Sequence, residues 1–300
     1  MNRIIILILI AFVALTSCKD NKNSNLLDKE FKRIQAEFTN NQSIDYLSSE
    51  LFKLYKIGKN QPNKDTSTQI FAMAGELAAT NKLDEMSTIF NTLSLVTGIN
   101  KEGIAENIFQ ISKAFALKNK NQEADLLLNV IITEFPGTVQ ADKSVKILKN
   151  NFFSPGEFMV NLVNDSSTPS NLKLLISHAI AYAKALSGNE RAGYFLYAAA
   201  ERLRGAGDIY GALILYDMVY TSFKDSPYGP LSVFISGFLS DTSLKDPVTA
   251  ETFYTEFIKN YPDHHLADDT KFLLENSGKK DEEIIRDLKL TAPDSNSVIR

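Results

Sequence analysis

The chain of 300 residues carries 32 Lys and Arg against 36 Asp and Glu, a formal charge of −4, and a single cysteine. No basic stripe is present for a nucleic acid, whose recognition shows as clustered Lys and Arg, and one cysteine excludes an internal disulfide framework. The length suffices for one large or two ordinary domains with a buried core. With Trp absent, the aromatic volume of that core falls to 19 Phe and 11 Tyr.

The chain opens on Met1, Asn2 and Arg3 and then runs almost wholly apolar from Ile4 to Leu15. A membrane-crossing helix needs roughly 20 apolar residues, so this short run behind a basic start predicts a cleaved export signal over residues 1–17. Leu15, Thr16, Ser17 and Cys18 resemble the lipobox of bacterial lipoproteins. That resemblance implies cleavage before Cys18 and acyl chains on Cys18, two or more of which anchor a protein stably where one is marginal. Residues 18–25 are polar after the cysteine and are expected to act as a tether, with the folded body starting at Leu26. Lys19 is not the aspartate that retains lipoproteins in the inner membrane, so the resemblance implies the outer membrane, facing the periplasm.

From Leu26 onward apolar residues recur at helical spacing nearly everywhere, and period-two alternation over more than four residues is hard to find. The class expected is all-α. Helices are predicted near residues 27–38, 44–57, 65–80, 82–97, 102–118, 121–134, 139–150, 156–164, 170–186, 190–204, 208–222, 228–239, 247–260 and 265–276. A short helix is expected at 281–290, and a polar C-terminal segment at 277–300 ends in a loose tail. A proline inside a helix costs about 3 kcal/mol. Accordingly all nine, Pro62, Pro136, Pro155, Pro169, Pro227, Pro230, Pro247, Pro262 and Pro293, fall at joints or in first turns. The joints are short, so neighbouring helices should run antiparallel as hairpins.

A repeat is visible within the chain. Residues Phe135 to Asn150 align without gaps on Tyr261 to Asn276, each copy opening on an aromatic–proline pair, Phe135–Pro136 and Tyr261–Pro262. Upstream lie Ala124, Leu128 and Ile131 in one copy and Ala250, Tyr254 and Phe257 in the other. A third copy reads Ala212, Tyr216 and Val219, preceded by Ala200 and Leu203, and a fainter one reads Ala74, Leu77, Met86, Phe90 and Leu93. This spacing resembles the tetratricopeptide repeat, in which small residues let paired helices approach and bulky ones fill the wedge to the next hairpin. The resemblance implies an all-α, tetratricopeptide-like helical-hairpin solenoid over 26–276, clearest at 102–150 and 190–276. Residues 155–190 fit the phase poorly, which leaves open an interruption of the stack there.

Candidate chemistry is sparse. Gly205, Gly207 and Gly211 follow a predicted helix, whereas a phosphate-cradling loop leaves a strand; they read as a helix stop, with Asp208 capping the next helix. His265 and Asp269 share a spacing able to hold a metal, but acidic residues at a helix start are explained by the dipole, and no metal or cofactor is expected. His178 reads as a packed imidazole. The tyrosines around 194–220 read as stacking contacts before a peptide groove. No enzymatic role is expected.

A helical solenoid offers an extended concave surface. With the lipid anchor this implies a periplasm-facing scaffold that holds a protein or peptide on its concave face. Among known families the chain resembles the tetratricopeptide lipoproteins related to BamD, of outer-membrane barrel assembly. The alternatives are a glycan-binding lipoprotein of the SusD type, a lipid-anchored hydrolase and a coordinator of cell-wall synthesis.

Overall fold

The computed structural model describes residues 21–41, 43–97, 101–135, 137–148, 160, 163–164, 169–185, 190–280, 282–284 and 286. The expected signal peptide, Cys18, Pro136, Pro155, Pro293, most of the helix at 156–164 and the tail lie outside them. Thirteen named helices and no strand occur among the described residues, so the class is all-α. They are α1 (Asn21–Asn41), α2 (Ile44–Lys59), α3 (Lys64–Thr80), α4 (Asp84–Val96), α5 (Lys101–Ala116), α6 (Asn121–Glu134) and α7 (Val139–Leu148). The others are α8 (Pro169–Ala185), α9 (Glu190–Gly205), α10 (Ile209–Ser222), α11 (Tyr228–Thr242), α12 (Pro247–Asn260) and α13 (Ala267–Asn276).

Local chemistry starts and ends these helices where the sequence places its signals. Ser43 accepts from the Tyr46 N–H at 3.2 Å, Asn63 from Asp65 and Thr66, and Asp246 from Thr249 at 3.1 Å; each side-chain oxygen satisfies a first-turn donor that the helix leaves unpaired. Pro169 and Pro247 each open a helix, where the missing N–H costs nothing. One boundary departs from expectation. α1 begins at Asn21, within the segment expected to be a tether, because once an amphipathic helix is nucleated each added polar residue gains a hydrogen bond at little cost.

The chain divides into two compact units, Met1–Leu215 and Tyr216–Arg300, the division falling inside α10. In the first unit α2, α3 and α4 pack in sequence through Leu47, Leu51 and Leu54, Ile70 and Phe71, and Ile89 and Phe90, all buried. Each such side chain removed from water contributes roughly 1.5–3 kcal/mol. Phe31 and Ile34 hold α1 against α2 and α3. Helices α5 to α7 enclose their own core, which includes Ile108, Phe109, Leu128, Ile131 and Phe135.

Helix α8 finds one partner far back in the chain and one directly after it. It packs on α4 and α9, burying Leu175, Ile176, Ala179, Ile180 and Ala183, and Lys173 pairs with Asp84. A strict solenoid joins each repeat to its sequence neighbours; here α5 to α7 bury their apolar residues among themselves, which leaves α4 with an apolar face that α8 covers. The poorly phased stretch of the sequence thus coincides with a change in packing order. In the second unit Val233, Phe257 and Ala267 join α11, α12 and α13, with Tyr220, Phe234, Tyr261 and Leu266 around them.

One turn–helix–turn device occurs four times. Lys82, Asn119, Gly207 and Lys245 adopt positive φ, between 54° and 85°, and each lies just before a helix: α4, α6, α10 and α12. In the first three the next residue's N–H reaches back across the turn, Leu83 to the Ala78 carbonyl, Lys120 to Phe115 and Asp208 to Leu203, the bonding that closes a helix through a left-handed residue. Before α12 the Asp246 N–H reaches the Ser240 carbonyl, one residue further back. Each following helix ends alike, with Thr97, Phe135, Phe223 and Tyr261 donating to Leu93, Ile131, Val219 and Phe257. The positions between are buried in all four copies: Met86 and Phe90, Ala124 and Leu128, Ala212 and Tyr216, Ala250 and Tyr254.

Candidate functional site

The repeat residues singled out in the sequence are interior. Ala124, Leu128, Ala200, Leu203, Ala212, Tyr216, Ala250 and Tyr254 are all buried, while Pro262 is exposed just beyond the Tyr261 cap. They position helices and present nothing to a ligand. Pro136 and Cys18 lie outside the described residues.

The motifs weighed for chemistry resolve into local structure. Gly207 at φ +85° closes α9 and Asp208 Oδ1 accepts from the Gly211 N–H at 2.8 Å, so the glycine segment is a helix stop followed by a cap. Burial lifts the Asp208 carboxyl to about 6, against the opposing effect of that hydrogen bond, with Glu85 adding to the rise. His265 precedes α13, which starts at Ala267, two residues later than predicted, so His265 and Asp269 do not share a helical face. The His264 ring stacks near His265 at 4.2 Å and edge-on to Phe257 at 5.5 Å, its Nδ1 accepting from the Leu266 N–H. Among the described residues no group of three His, Cys, Asp or Glu is placed to hold a metal. His178 Nδ1 lies 2.8 Å from the Leu174 carbonyl, so it carries the proton, and burial holds the ring below its ordinary pKa.

Two side-chain networks not anticipated from the sequence stand out instead. In the second unit the Tyr220 hydroxyl donates to Glu256, and Asn260 Nδ2 donates to the Tyr220 oxygen at 3.0 Å and to the Glu256 carbonyl at 2.9 Å. The Tyr261 hydroxyl donates to the Lys224 carbonyl at 2.8 Å, and the Tyr220 and Tyr261 rings meet at 6.5 Å near the edge-on geometry. Phe257 lies beneath, 5.6 Å from Tyr261. Burial, with the carboxylates nearby, pushes Tyr261 up to about 12 and Tyr220 higher; both phenols remain protonated donors at neutral pH. This half-buried ridge of phenol, carboxylate and carboxamide groups is equipped for hydrogen bonding and stacking.

In the first unit Arg33 on α1 gathers three carboxylates: Glu30 at 2.6 Å, Glu37 at 2.7 Å and the buried Glu50 of α2 at 2.9 Å. Lys53 reaches the other oxygen of Glu50 at 2.6 Å, and Tyr46 donates to Glu37. Hydrogen bonding to Arg33 lowers Glu30, and hydrogen bonding to Tyr46 and then Arg33 lowers Glu37. Beside it, an open cleft of about 240 Å³ runs between α1 and α3 over Phe31, Met73 and Leu77, rimmed by Lys32, Gln35, Glu76 and Thr80. Ligand pockets span roughly 300–1,000 Å³, so the cleft falls short of a small-molecule site.

The tyrosines near 194–220 divide. Phe195 and Tyr216 are buried, whereas Tyr194, Tyr197, Tyr210 and Tyr220 stay half-buried, with Tyr210 5.9 Å from the Phe52 ring. The Arg33 cluster carried a sequence signal in the spacing of Glu30, Arg33 and Glu37 on one helix face; the Tyr220 network carried none, since its partners lie on two helices. No known family model, no curated protein and no solved structure matches the chain. No helix among the described residues is long and apolar enough to cross a membrane.

Proposed function

We propose that the chain is a lipoprotein, cleaved before Cys18 and anchored there in the outer membrane facing the periplasm, whose tetratricopeptide-like hairpins hold a protein or peptide segment. The observation that carries the reading is the fourfold turn–helix–turn device at Lys82, Asn119, Gly207 and Lys245. Hairpins that reuse one closure bury one face against a neighbour and leave the other along a surface suited to extended partners. Half-buried phenols beside Glu256 and Asn260 supply donors and ring faces of the kind that bind peptide backbone and side chains. The lipobox at Leu15 to Cys18 supplies the address. Barrel assembly is the setting that the resemblance to BamD-related lipoproteins favours.

Crosslinking of the native protein in outer membranes, followed by its purification, tests the role, with Cys18→Ser as the mislocalised control. Recovery of barrel-assembly components or an unfolded barrel protein, lost in the control, is the expected result. Retention of glycan with no protein partner would point to nutrient capture and end the scaffold reading.

A further inference from the structure

The facing pairs Arg33 with Glu50 and Glu37 with Tyr46 set α1 antiparallel to α2. Carried back along both helices, that register places Asn21, the first residue of α1, level with the turn between α2 and α3. Cys18 precedes Asn21 by three residues, a reach of about 10 Å even when extended. The start of α1 therefore lies at the end of the first unit where α2 ends and α3 begins. Helix α4 ends there too, since the Thr68 hydroxyl of α3 donates to the Thr97 carbonyl at 3.1 Å.

This end is basic in a chain that is acidic as a whole. Lys56 and Lys59 occupy the last turns of α2, Lys64 opens α3 and Lys184 closes α8. Lys64 is exposed. Lys56 and Lys59 lie over the Phe52 and Tyr55 rings, at 5.2 and 5.9 Å from the centroids. Arg191 and the acidic Asp65 and Glu190 share the region, and Lys101 and Glu102 open α5 beyond Thr97, so among the described residues the positive charges outnumber the negative. The helix dipole accounts for lysines at the ends of α2 and α8, but Lys64 sits at a helix start, where the dipole disfavours it. Lys64 also raises the cost of charge on Lys184, whose pKa is lowered first by partial burial and then by that neighbour. Like charges at this end of the unit suit an anionic surface against it.

We propose that the face formed by Lys56, Lys59, Lys64 and Lys184 lies on the anionic headgroups of the membrane that holds Cys18. The inference rests on the lipoprotein reading for its orientation. Basic residues near an anionic bilayer contribute about 1 kcal/mol each, or roughly fivefold in binding, within about a Debye length of the surface. A second attachment of this kind would fix the first unit against the bilayer, where acyl chains alone would leave it free to swing.

The test uses the full mature chain from Cys18 with one hexadecyl group attached chemically to that thiol, because a single chain binds only marginally and lets charge decide. Partition is measured on vesicles of phosphatidylcholine alone and with about 30% phosphatidylglycerol, near 0.1 M salt where screening is moderate. At least about tenfold stronger binding to the anionic vesicles is expected, and replacing Lys56, Lys59, Lys64 and Lys184 by Gln should bring the two vesicles within about twofold. A charge-matched control, Lys118, Lys224, Lys259 and Lys271→Gln, should keep most of the difference, with circular dichroism checking that every variant folds. Equal partition on both vesicles, or equal loss in the control, would overturn the proposal. Because the alkyl group is added by hand, the outcome is independent of whether cells acylate Cys18, which the mass of the native N-terminal peptide decides separately.

Discussion

Gly237 of α11 and Tyr254 of α12 share one space: a Cβ on Gly237 would lie 2.6 Å from Cε1 of the buried Tyr254 ring. The missing side chain lets the two helices meet, and the ring fills the gap. Gly237→Ala gains about 1 kcal/mol in helix propensity, yet overpacking a filled core costs about 1–3 kcal/mol. Net destabilisation is expected, and Gly237→Val should lose more. Urea unfolding of both variants checks the order.

The Tyr254 hydroxyl is itself buried with no hydrogen-bond partner among the described residues, whereas that of Tyr220 bonds to both Glu256 and Asn260. Removing an unsatisfied polar group is neutral or favourable, and removing a satisfied one costs about 0.5–1.5 kcal/mol. Tyr254→Phe should therefore match or exceed the parent in stability, while Tyr220→Phe should fall below it. A lower melting temperature for Tyr220→Phe than for Tyr254→Phe, with only Tyr220→Phe below the parent, is the expected outcome.

Asp208 makes a pH dependence with an unusual sign. Its folded pKa is raised to about 6, chiefly by burial, from an ordinary value of 3.8, so the native state holds a proton that the unfolded chain releases. Stability from this group is full below the unfolded value and declines as pH rises from about 4 to about 6, by about 3 kcal/mol at most. Asp208→Asn keeps a capping oxygen for the Gly211 N–H and removes the charge. The variant should unfold at higher urea than the parent at pH 7, and the difference should vanish near pH 4.

Arg33 ties α1 to Glu50 of α2 while the rest of the helix is held by Phe31 and Ile34. Arg33→Ala should loosen α1 without unfolding α2 to α4, a local opening read by amide exchange. A tenfold faster exchange confined to α1, equal to about 1.4 kcal/mol, is expected. Acid should act similarly. Glu30 and Glu37 have folded pKa values below the ordinary 4.5, so their contribution is present above that value and is lost as pH falls through the lower ones.

The helices and their phase were legible because burial repeats at helical spacing: Met86, Phe90 and Leu93 already match Ala212, Tyr216 and Val219 in the sequence. The Asp208 cap and the positions of the described prolines were legible for the same local reason. Turns at Lys82 and Lys245 were not, since lysine at positive φ has no composition signature and is tolerated only where the surrounding helices force it. Long-range pairings were hidden too. Nothing near Asp84 announces Lys173, and nothing near Tyr220 announces Glu256, because such contacts depend on which apolar faces remain uncovered after local hairpins form. Division inside α10 leaves no mark on a helix whose apolar pattern is continuous.

Both the scaffold role and the basic membrane face require that Cys18 be the first residue and carry lipid. The decisive measurement is the mass of the N-terminal peptide from the protein purified out of bacterial membranes. A peptide beginning at Cys18 with the added mass of a diacylglyceryl thioether is the predicted result. A peptide beginning at another residue, or an unmodified Cys18, would contradict the anchored scaffold.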